Sequence, residues 1–212
     1  LGGVNISAAT GSPMTNAAEV PVPEGYCEQD YLKMYAFLEI ADADGVKNGT
    51  KLNKNYAPMD PTTWGTTNEN YDPEDPMTWG AGQNITWDEV TTGEGEDEVT
   101  VRYLWIFNAP ASDLCGPLDL SGCKFLQEVY VQNNALTQVN VSDSAIWELD
   151  CSGNRLTELN VSGCGYLMNL VCGNNQLTAL ELADCRRLAT VDCSGNQLTA
   201  LNLSATNALM TL

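Results

Sequence analysis

The sequence predicts a β-rich solenoid in which short coils stack on one another and share one interior. The first observation is a set of four asparagines, Asn134, Asn154, Asn175 and Asn196, which are separated by 20, 21 and 21 residues. The second is that each asparagine is followed by Leu-Thr at the second and third positions after it. A nearly constant period indicates a solenoid, in which each coil buries its apolar side only against its neighbours.

Alignment of the repeats on their asparagines gives the pattern LxxLxCxxN. The coils begin at Leu126, Ile146, Leu167 and Leu188, and valine takes the cysteine position in the first. Alternate inward residues in the LxC section predict a short strand. A second alternating triplet, such as Val139-Asn-Val, predicts another extended segment on the opposite side of each coil. The asparagine amide both donates and accepts hydrogen bonds, so a stacked column can satisfy the backbone groups of a buried turn.

These repeats resemble the short-repeat (about 21-residue) leucine-rich-repeat surface proteins of gut bacteria. The resemblance covers residues 118–212, beginning with Leu-Asp-Leu-Ser-Gly-Cys, and extends more faintly upstream through Phe37-Leu38 and Ile85-Thr-Trp. It implies a right-handed leucine-rich-repeat coil with parallel strands, in a protein that is extracellular or on the cell surface and used for adhesion or recognition. The family has no shared catalytic motif that could be carried over.

We expect three regions along the chain. Residues 1–25 are small, polar and proline-containing, which is typical of a flexible tether or a loosely docked arm. Residues 26–98 form a helical, loop-rich amino-terminal cap, with one helix from Cys27 to about Ala41. Residues 99–212 form the solenoid, whose first, irregular strand is predicted at residues 99–106. A cap is needed because an open solenoid end exposes apolar side chains and unpaired backbone groups.

A repeated Asp-Pro-x-Thr-Trp-Gly motif occupies residues 60–65 and 75–80 of the cap. Two interpretations are open. An exposed Trp64 and Trp79 would form a stacking platform for sugar rings. Alternatively, each Asp caps a short helical turn that begins with Pro, and each Trp packs inward.

The charge of the chain restricts its partners. The formal net charge is −19, and residues 1–100 carry 18 acidic and 4 basic side chains, against 10 and 5 in residues 101–212. Nucleic acid and anionic membranes are disfavoured because binding either depends on clustered Lys and Arg. No apolar run reaches the roughly 18 residues of a membrane span, so we expect a protein that is not membrane-embedded. The chain as given shows no signal segment.

Eight cysteines suggest disulfides at first sight, but their spacing indicates two stacked columns of free thiols. One column contains Cys151, Cys172 and Cys193, and the other contains Cys123, Cys164 and Cys185. Parallel neighbouring side chains have the wrong torsion for a disulfide. Cys27 and Cys115 fit neither column, and the sequence leaves their pairing open. With no histidine and no CxxC pair, we expect no metal site and no cofactor.

The outward residues of the predicted strands form the candidate binding surface. They fall into two columns, and we single out an aromatic and acidic subset with a bordering tryptophan: Glu128, Tyr130, Trp147, Glu148, Asp150 and Asp192. We expect this surface to bind a protein or glycan ligand. An ordinary solvated face is the alternative, as is a structural or assembly component of the cell surface without a dedicated ligand.

Catalysis is not expected, because no surrounding group could desolvate Glu148 or Asp150 and no histidine is present. The last residues, Leu209 to Leu212, begin another LxxL repeat with no cap after it. Either the chain is truncated or the open coil forms an end-to-end homodimer.

Overall fold

The computed structural model describes residues 20–65, 84–203 and 206 of the 212-residue chain. Within these residues lie two helices, α1 and α2, and nine strands, β1 to β9. The helices are Glu28–Leu38 and Asn48–Leu52. In chain order the strands are Ile85–Thr92, Val99–Asn108, Cys115–Asp119, Glu128–Tyr130, Ala135–Asn140, Glu148–Asp150, Glu158–Asn160, Asn169–Val171 and Thr190–Asp192.

The strands form two sheets on opposite sides of a β-solenoid of about four turns, as the repeats predict. The larger sheet has the order β1-β2-β4-β6-β8-β9, and the smaller has the order β3-β5-β7. Among the strands of the described residues, every pair is parallel except β1 and β2, which pair antiparallel. The chain therefore alternates between the two sheets, and each coil adds one strand to the larger one.

The apolar repeat positions fill the interior between the two sheets. Leu126, Ile146, Leu167 and Leu188 are fully buried, one above another in successive coils. The strand centres from Val129 to Val191 are buried beside them. Burial of one such aliphatic side chain contributes about 1.5–3 kcal/mol, so the stacked columns hold the coils together.

The asparagine column forms a continuous hydrogen-bond ladder through the turns. The Nδ2 group of Asn154 donates to Val131 O of the preceding coil and to Cys151 O of its own coil, at 2.9 and 3.0 Å. Asn175 makes the corresponding bonds to Cys151 O and Cys172 O, both at 3.0 Å. Cys151 O therefore accepts from two amides, one in each of two successive coils. The expectation from sequence that this column satisfies turn backbone groups is confirmed.

A second turn column alternates asparagine with glycine. Asn133, Gly153, Asn174 and Gly195 all have positive φ, between 54° and 65°. A Cβ added to Gly153 would collide with Asn133 Oδ1, and one added to Gly195 would collide with Asn174 Oδ1. Each asparagine side chain thus rests against the glycine of the next coil, which explains the alternation.

The cysteines are free and lie mostly in the interior, as predicted. All eight are unpaired, including Cys27 and Cys115, whose pairing the sequence left open. Five of the six column members are fully buried, and Cys193, in the last strand-bearing coil, is partly exposed.

The amino-terminal segment packs on the first coil. Helix α1 lies against β2 and β3, and its buried residues Tyr31, Met34 and Phe37 join the same core as the solenoid leucines. Asp30 is buried in this interface and accepts a 3.0 Å hydrogen bond from Leu104 N on β2. Residues 20–25 are docked, since Gly25 O accepts from Arg102 N at 2.7 Å. The predicted arm otherwise lies outside the described residues.

Three expectations about secondary structure need correction. Helix α1 ends at Leu38 and not near Ala41, because Asp42 to Gly45 form a turn closed by a Gly45 N to Asp42 O bond. The segment expected to be loops contains helix α2 and the eight-residue strand β1, which pairs with β2. Among the four repeats, the second extended segment is a strand only in the coils that begin at Leu126 and Ile146, although Leu180 and Leu182 of the next coil are still buried.

Candidate interaction surface

The candidate surface is the solvent-facing side of β4, β6, β8 and β9, which we call the outer face. The strand register aligns Glu128, Glu148, Asn169 and Thr190 in one column. It aligns Tyr130, Asp150, Val171 and Asp192 in the second column. Both columns agree with the sequence alignment. The structure therefore brings five of the sequence-predicted site residues, all except Trp147, onto one side of one sheet, whereas their role in binding stays a prediction.

Trp147 borders the outer face because it lies one residue before β6. The N–H groups of Trp147 and Glu148 both donate to Gln127 O, at 2.9 and 3.3 Å. Gln127 O thus accepts from two successive N–H groups at the start of β6, while the register of β4 and β6 stays regular. The next coil repeats it, with Met168 N and Asn169 N donating to Trp147 O. Trp147 is partly buried, and Met168 occupies the equivalent position on the following coil.

The first column brings two carboxylates together. Glu128 and Glu148 are direct partners on the adjacent parallel strands β4 and β6. Burial raises the pKa of the Glu128 carboxyl, a hydrogen bond from Tyr130 lowers it, and the nearby charge of Glu148 raises it again. Glu148 Oε2 accepts a 2.7 Å hydrogen bond from Asn169 Nδ2. Burial, and then the neighbouring carboxylates, also raise the pKa of Tyr130.

The aspartates of the second column have a structural role that the sequence analysis did not assign. Asp150 Oδ1 accepts from Ser152 N at 3.0 Å and from Ser152 Oγ at 2.7 Å. Asp192 makes the same two bonds with Ser194, which lower its pKa. These are Asx turns, in which the side chain holds the backbone two residues on. Each aspartate still has a second carboxylate oxygen.

Two exposed apolar side chains extend the surface beyond the sequence-predicted residues. Tyr166 is 56% exposed and Met168 is 45% exposed. The Arg187 guanidinium lies 4.9 Å from the centre of the Tyr166 ring, a cation–π contact between successive coils. An apolar residue four or two positions before the strand centre, where other coils have Ala145 or Gln127, is the sequence signal that could have found Tyr166 and Met168.

The interpretation that Trp64 is exposed as part of a stacking platform for sugar rings is wrong. That side chain is only 2% exposed, packs on Tyr31 with ring centres 4.5 Å apart, and donates from Nε1 to Pro58 O. Asp60 caps the short turn Pro61–Thr63 through a hydrogen bond from Thr62 N. The inward alternative is therefore confirmed for Trp64, and Trp79 lies outside the described residues.

A shallow depression at the turn opposite the asparagine ladder is a separate concavity. Its lining residues are Asp143, Ser162, Gly163, Gly165, Asp184 and Arg186. Gly163 N donates to Asp184 Oδ2 at 3.0 Å, so one of the two carboxylates that line the depression already accepts a backbone hydrogen bond. In the part of the chain that the structure describes, no group of three or more Cys, Asp or Glu side chains is arranged to hold a metal ion.

None of the helices in the described ranges has the length and apolar character needed to cross a membrane. Comparison of the chain with protein-family models, with curated proteins and with solved structures finds no match.

Proposed function

We propose that the solenoid is a right-handed leucine-rich-repeat coil of the short-repeat type. The LxxLxCxxN pattern supports this assignment, because its apolar and cysteine positions are inward and its asparagines form the ladder. Coils of 20 or 21 residues leave room only for two extended segments and their turns.

We further propose that the chain is a non-catalytic recognition module that binds a protein or glycan through the outer face. The observation that supports it is that partly exposed Trp147 and exposed Met168 immediately precede the strands β6 and β8, and β6 carries the outward carboxylates of Glu148 and Asp150. A tryptophan with polar neighbours on a rigid framework is the kind of group that dominates binding energy at interfaces. The absence of histidine from the sequence supports binding in preference to acid–base or nucleophilic catalysis.

The location that fits this role is the cell exterior, in an exported protein. The strongly acidic composition supports neither nucleic acid nor an anionic membrane as the partner. Detection of the native protein in the medium or on intact cells, by an antibody and by protease shaving, tests this proposal. Recovery only from the cytoplasmic fraction would contradict it.

The binding role is tested by screening the folded protein against arrays of glycans and of extracellular proteins. A variant carrying Tyr130→Ala, Glu148→Gln and Asp150→Asn should lose binding to any ligand found. The matched control is Glu158→Gln with Glu181→Gln, which removes two exposed carboxylates that lie away from the outer face. Unchanged binding by the triple variant, with an unchanged far-ultraviolet circular dichroism spectrum, would contradict the proposed function.

The alternative role, a structural or assembly component of the cell surface, makes a different prediction. It requires association of the protein with itself, for example end to end, and no ligand on the arrays. Analytical ultracentrifugation over a range of concentrations separates the two roles. A monomer that binds an array ligand supports recognition, and a concentration-dependent oligomer with no ligand supports assembly.

A further inference from the structure

The outer face holds negative charge that no cation of the protein neutralises within the described residues. The four salt bridges found there are Lys33–Asp119, Lys47–Glu39, Lys51–Asp42 and Arg102–Glu89. None involves Glu128, Glu148, Asp150 or Asp192, whose hydrogen bonds go to neutral groups such as Asn169 Nδ2 and Ser152. These four carboxylates therefore present a charge that a cationic partner would complement.

The pairing of Glu128 with Glu148 is itself unfavourable. Like charges directly opposite on neighbouring strands repel and destabilise the sheet. Their strands are about 4.8 Å apart, which brings the two carboxylates within reach of one ammonium or guanidinium group. A cation placed between them would turn the repulsion into two attractions. This pair is therefore the point on the outer face where a positive group gains most.

The apolar border of the face also suits a cationic side chain. Trp147 directly precedes Glu148, and Met168 lies on the next coil. An indole ring binds Lys or Arg through its face and through the aliphatic stem of the side chain. The protein already makes this type of contact nearby, where Arg187 lies over the Tyr166 ring.

The spacing of the carboxylates favours an extended chain. From β4 to β9 the face crosses three strand spacings, about 14 Å in total. Side chains on one side of an extended peptide repeat every ~6.6 Å, so three of them span about 13 Å. Basic residues at alternate positions would therefore meet Glu128, the Glu148–Asp150 strand and Asp192 in turn.

We propose that the ligand of the outer face is a basic, extended polypeptide segment with Lys or Arg at alternate positions. This proposal rests on the proposed recognition function and names its partner class. Charge complementarity with four carboxylates selects this occupant over a neutral glycan.

The experiment uses a fluorescent peptide, Gly-Arg-Ser-Arg-Ser-Arg-Gly, and its uncharged counterpart with Gln in place of Arg. Binding to the full chain is measured by fluorescence anisotropy at two salt concentrations. Glu128→Gln with Glu148→Gln should weaken binding of the basic peptide about tenfold, since two charge contacts are lost. Glu158→Gln with Glu181→Gln changes the net charge equally and should change binding less than about twofold.

Equal weakening by the two double variants would show attraction to net charge alone and would overturn the proposal, as would equal binding of the uncharged peptide. Trp147→Ala should also weaken binding, and it tests the aromatic contact separately. A neutral or acidic array ligand that the triple variant no longer binds would overturn this proposal and leave the recognition function standing. An array ligand unaffected by every outer-face variant would refute the recognition function itself.

Discussion

The asparagine ladder predicts that one buried amide contributes measurably to the stability of the whole solenoid. Asn175 lies in the middle of the ladder and is buried. Its Nδ2 group donates to Cys151 O and Cys172 O, and its Oδ1 atom accepts from Leu156 N, all at 3.0 Å. The substitution Asn175→Ala removes these bonds without adding bulk to the turn.

The expected loss of stability in Asn175→Ala follows from the hydrogen bonds that each partner of Asn175 retains. Cys151 O keeps the amide of Asn154, and Cys172 O keeps that of Asn196, so each carbonyl loses about 0.5 kcal/mol. Leu156 N loses the acceptor that Asn175 supplies and is left inside the turn, at a cost of about 2 kcal/mol. We therefore expect the free energy of unfolding to fall by about 3 kcal/mol. The melting temperature should fall by about 9 °C for a chain of this size.

Guanidinium unfolding, followed by circular dichroism, measures this change, and Gln176→Ala serves as the control on an exposed neighbouring side chain. The control should change stability by less than about 0.5 kcal/mol. If Asn175→Ala and Gln176→Ala are equally mild, the ladder does not stabilise the coils as we argue. Hydrogen exchange should also show faster exchange at Leu156 N in the Asn175 variant.

Asn175→Asp tests the polarity of the ladder at constant size. It keeps an acceptor for Leu156 N but places an oxygen against the two carbonyls. At neutral pH this carboxylate faces carbonyl oxygens, so we expect Asn175→Asp to lower the free energy of unfolding more than Asn175→Ala does. Because such a buried carboxyl has a raised pKa, the loss should shrink as the pH falls and the carboxyl takes up a proton. A loss independent of pH would contradict the proposed donor geometry.

Three further predictions concern the turns, the helix interface and the thiols. Gly153→Ala should cost about 1–2 kcal/mol of unfolding free energy, because φ is +64° there, whereas Gly165→Ala should cost far less because its added Cβ meets no atom within 4 Å. Burial raises the pKa of Asp30, so the stability of the native chain relative to Asp30→Asn should decrease as the pH rises above about 4; urea midpoints that differ by a constant amount would contradict this. Burial raises the pKa of Cys172 to about 12, so iodoacetamide followed by mass spectrometry should label the partly exposed Cys193 before Cys172 and Cys151 of the same column, and equal rates would show that the column opens.

The repeating part of the fold could be predicted because its period fixes the surroundings of every residue. Once Asn134 and Asn154 are aligned, each inward position has a known neighbour above and below. The two outward columns, the inward cysteines and the ladder all follow from that one alignment. The spacing of residues in sequence is here equivalent to their stacking in space, which is true only of solenoids.

The amino-terminal segment could not be predicted in the same way, because its contacts are not periodic. Helix α2 begins at Asn48, which is buried and whose amide bonds to Phe37 O and to Cys115 O and N. These partners are 11 and 67 residues away in sequence. Strand β1 could have been predicted from the sequence, because its β-branched residues are followed by Gly93 and Gly95 and then by β2, as in a β-hairpin.

The site was predicted only in part, because some positions on the outer face serve the fold as well. The alignment placed Asp150 and Asp192 on the face, but it did not show that they hold the following turns. Tyr166 and Met168 were missed because they precede the LxC strand, where alternation along a strand does not apply. Exposure at such positions depends on backbone detail that a repeat pattern does not carry.

The fold does not require the negative charge of Asp150. Its role in the turn and its proposed charge contact with a basic peptide can therefore be tested separately. On the opposite side of the coils the same turn is made by Asn140 and Asn160, each of which accepts from the serine two residues on. Asp119 makes it there too, but it is paired with Lys33. Asparagine is therefore sufficient for the turn.

Asp150→Asn should consequently leave the unfolding free energy within about 0.5 kcal/mol of the native value, whereas Asp150→Ala should lower it by about 1 kcal/mol. Both variants should weaken binding of the basic peptide alike, because both remove the charge. If Asp150→Asn instead binds the peptide as the native chain does, this carboxylate serves the turn alone, and the electrostatic contact must be confined to the glutamate pair.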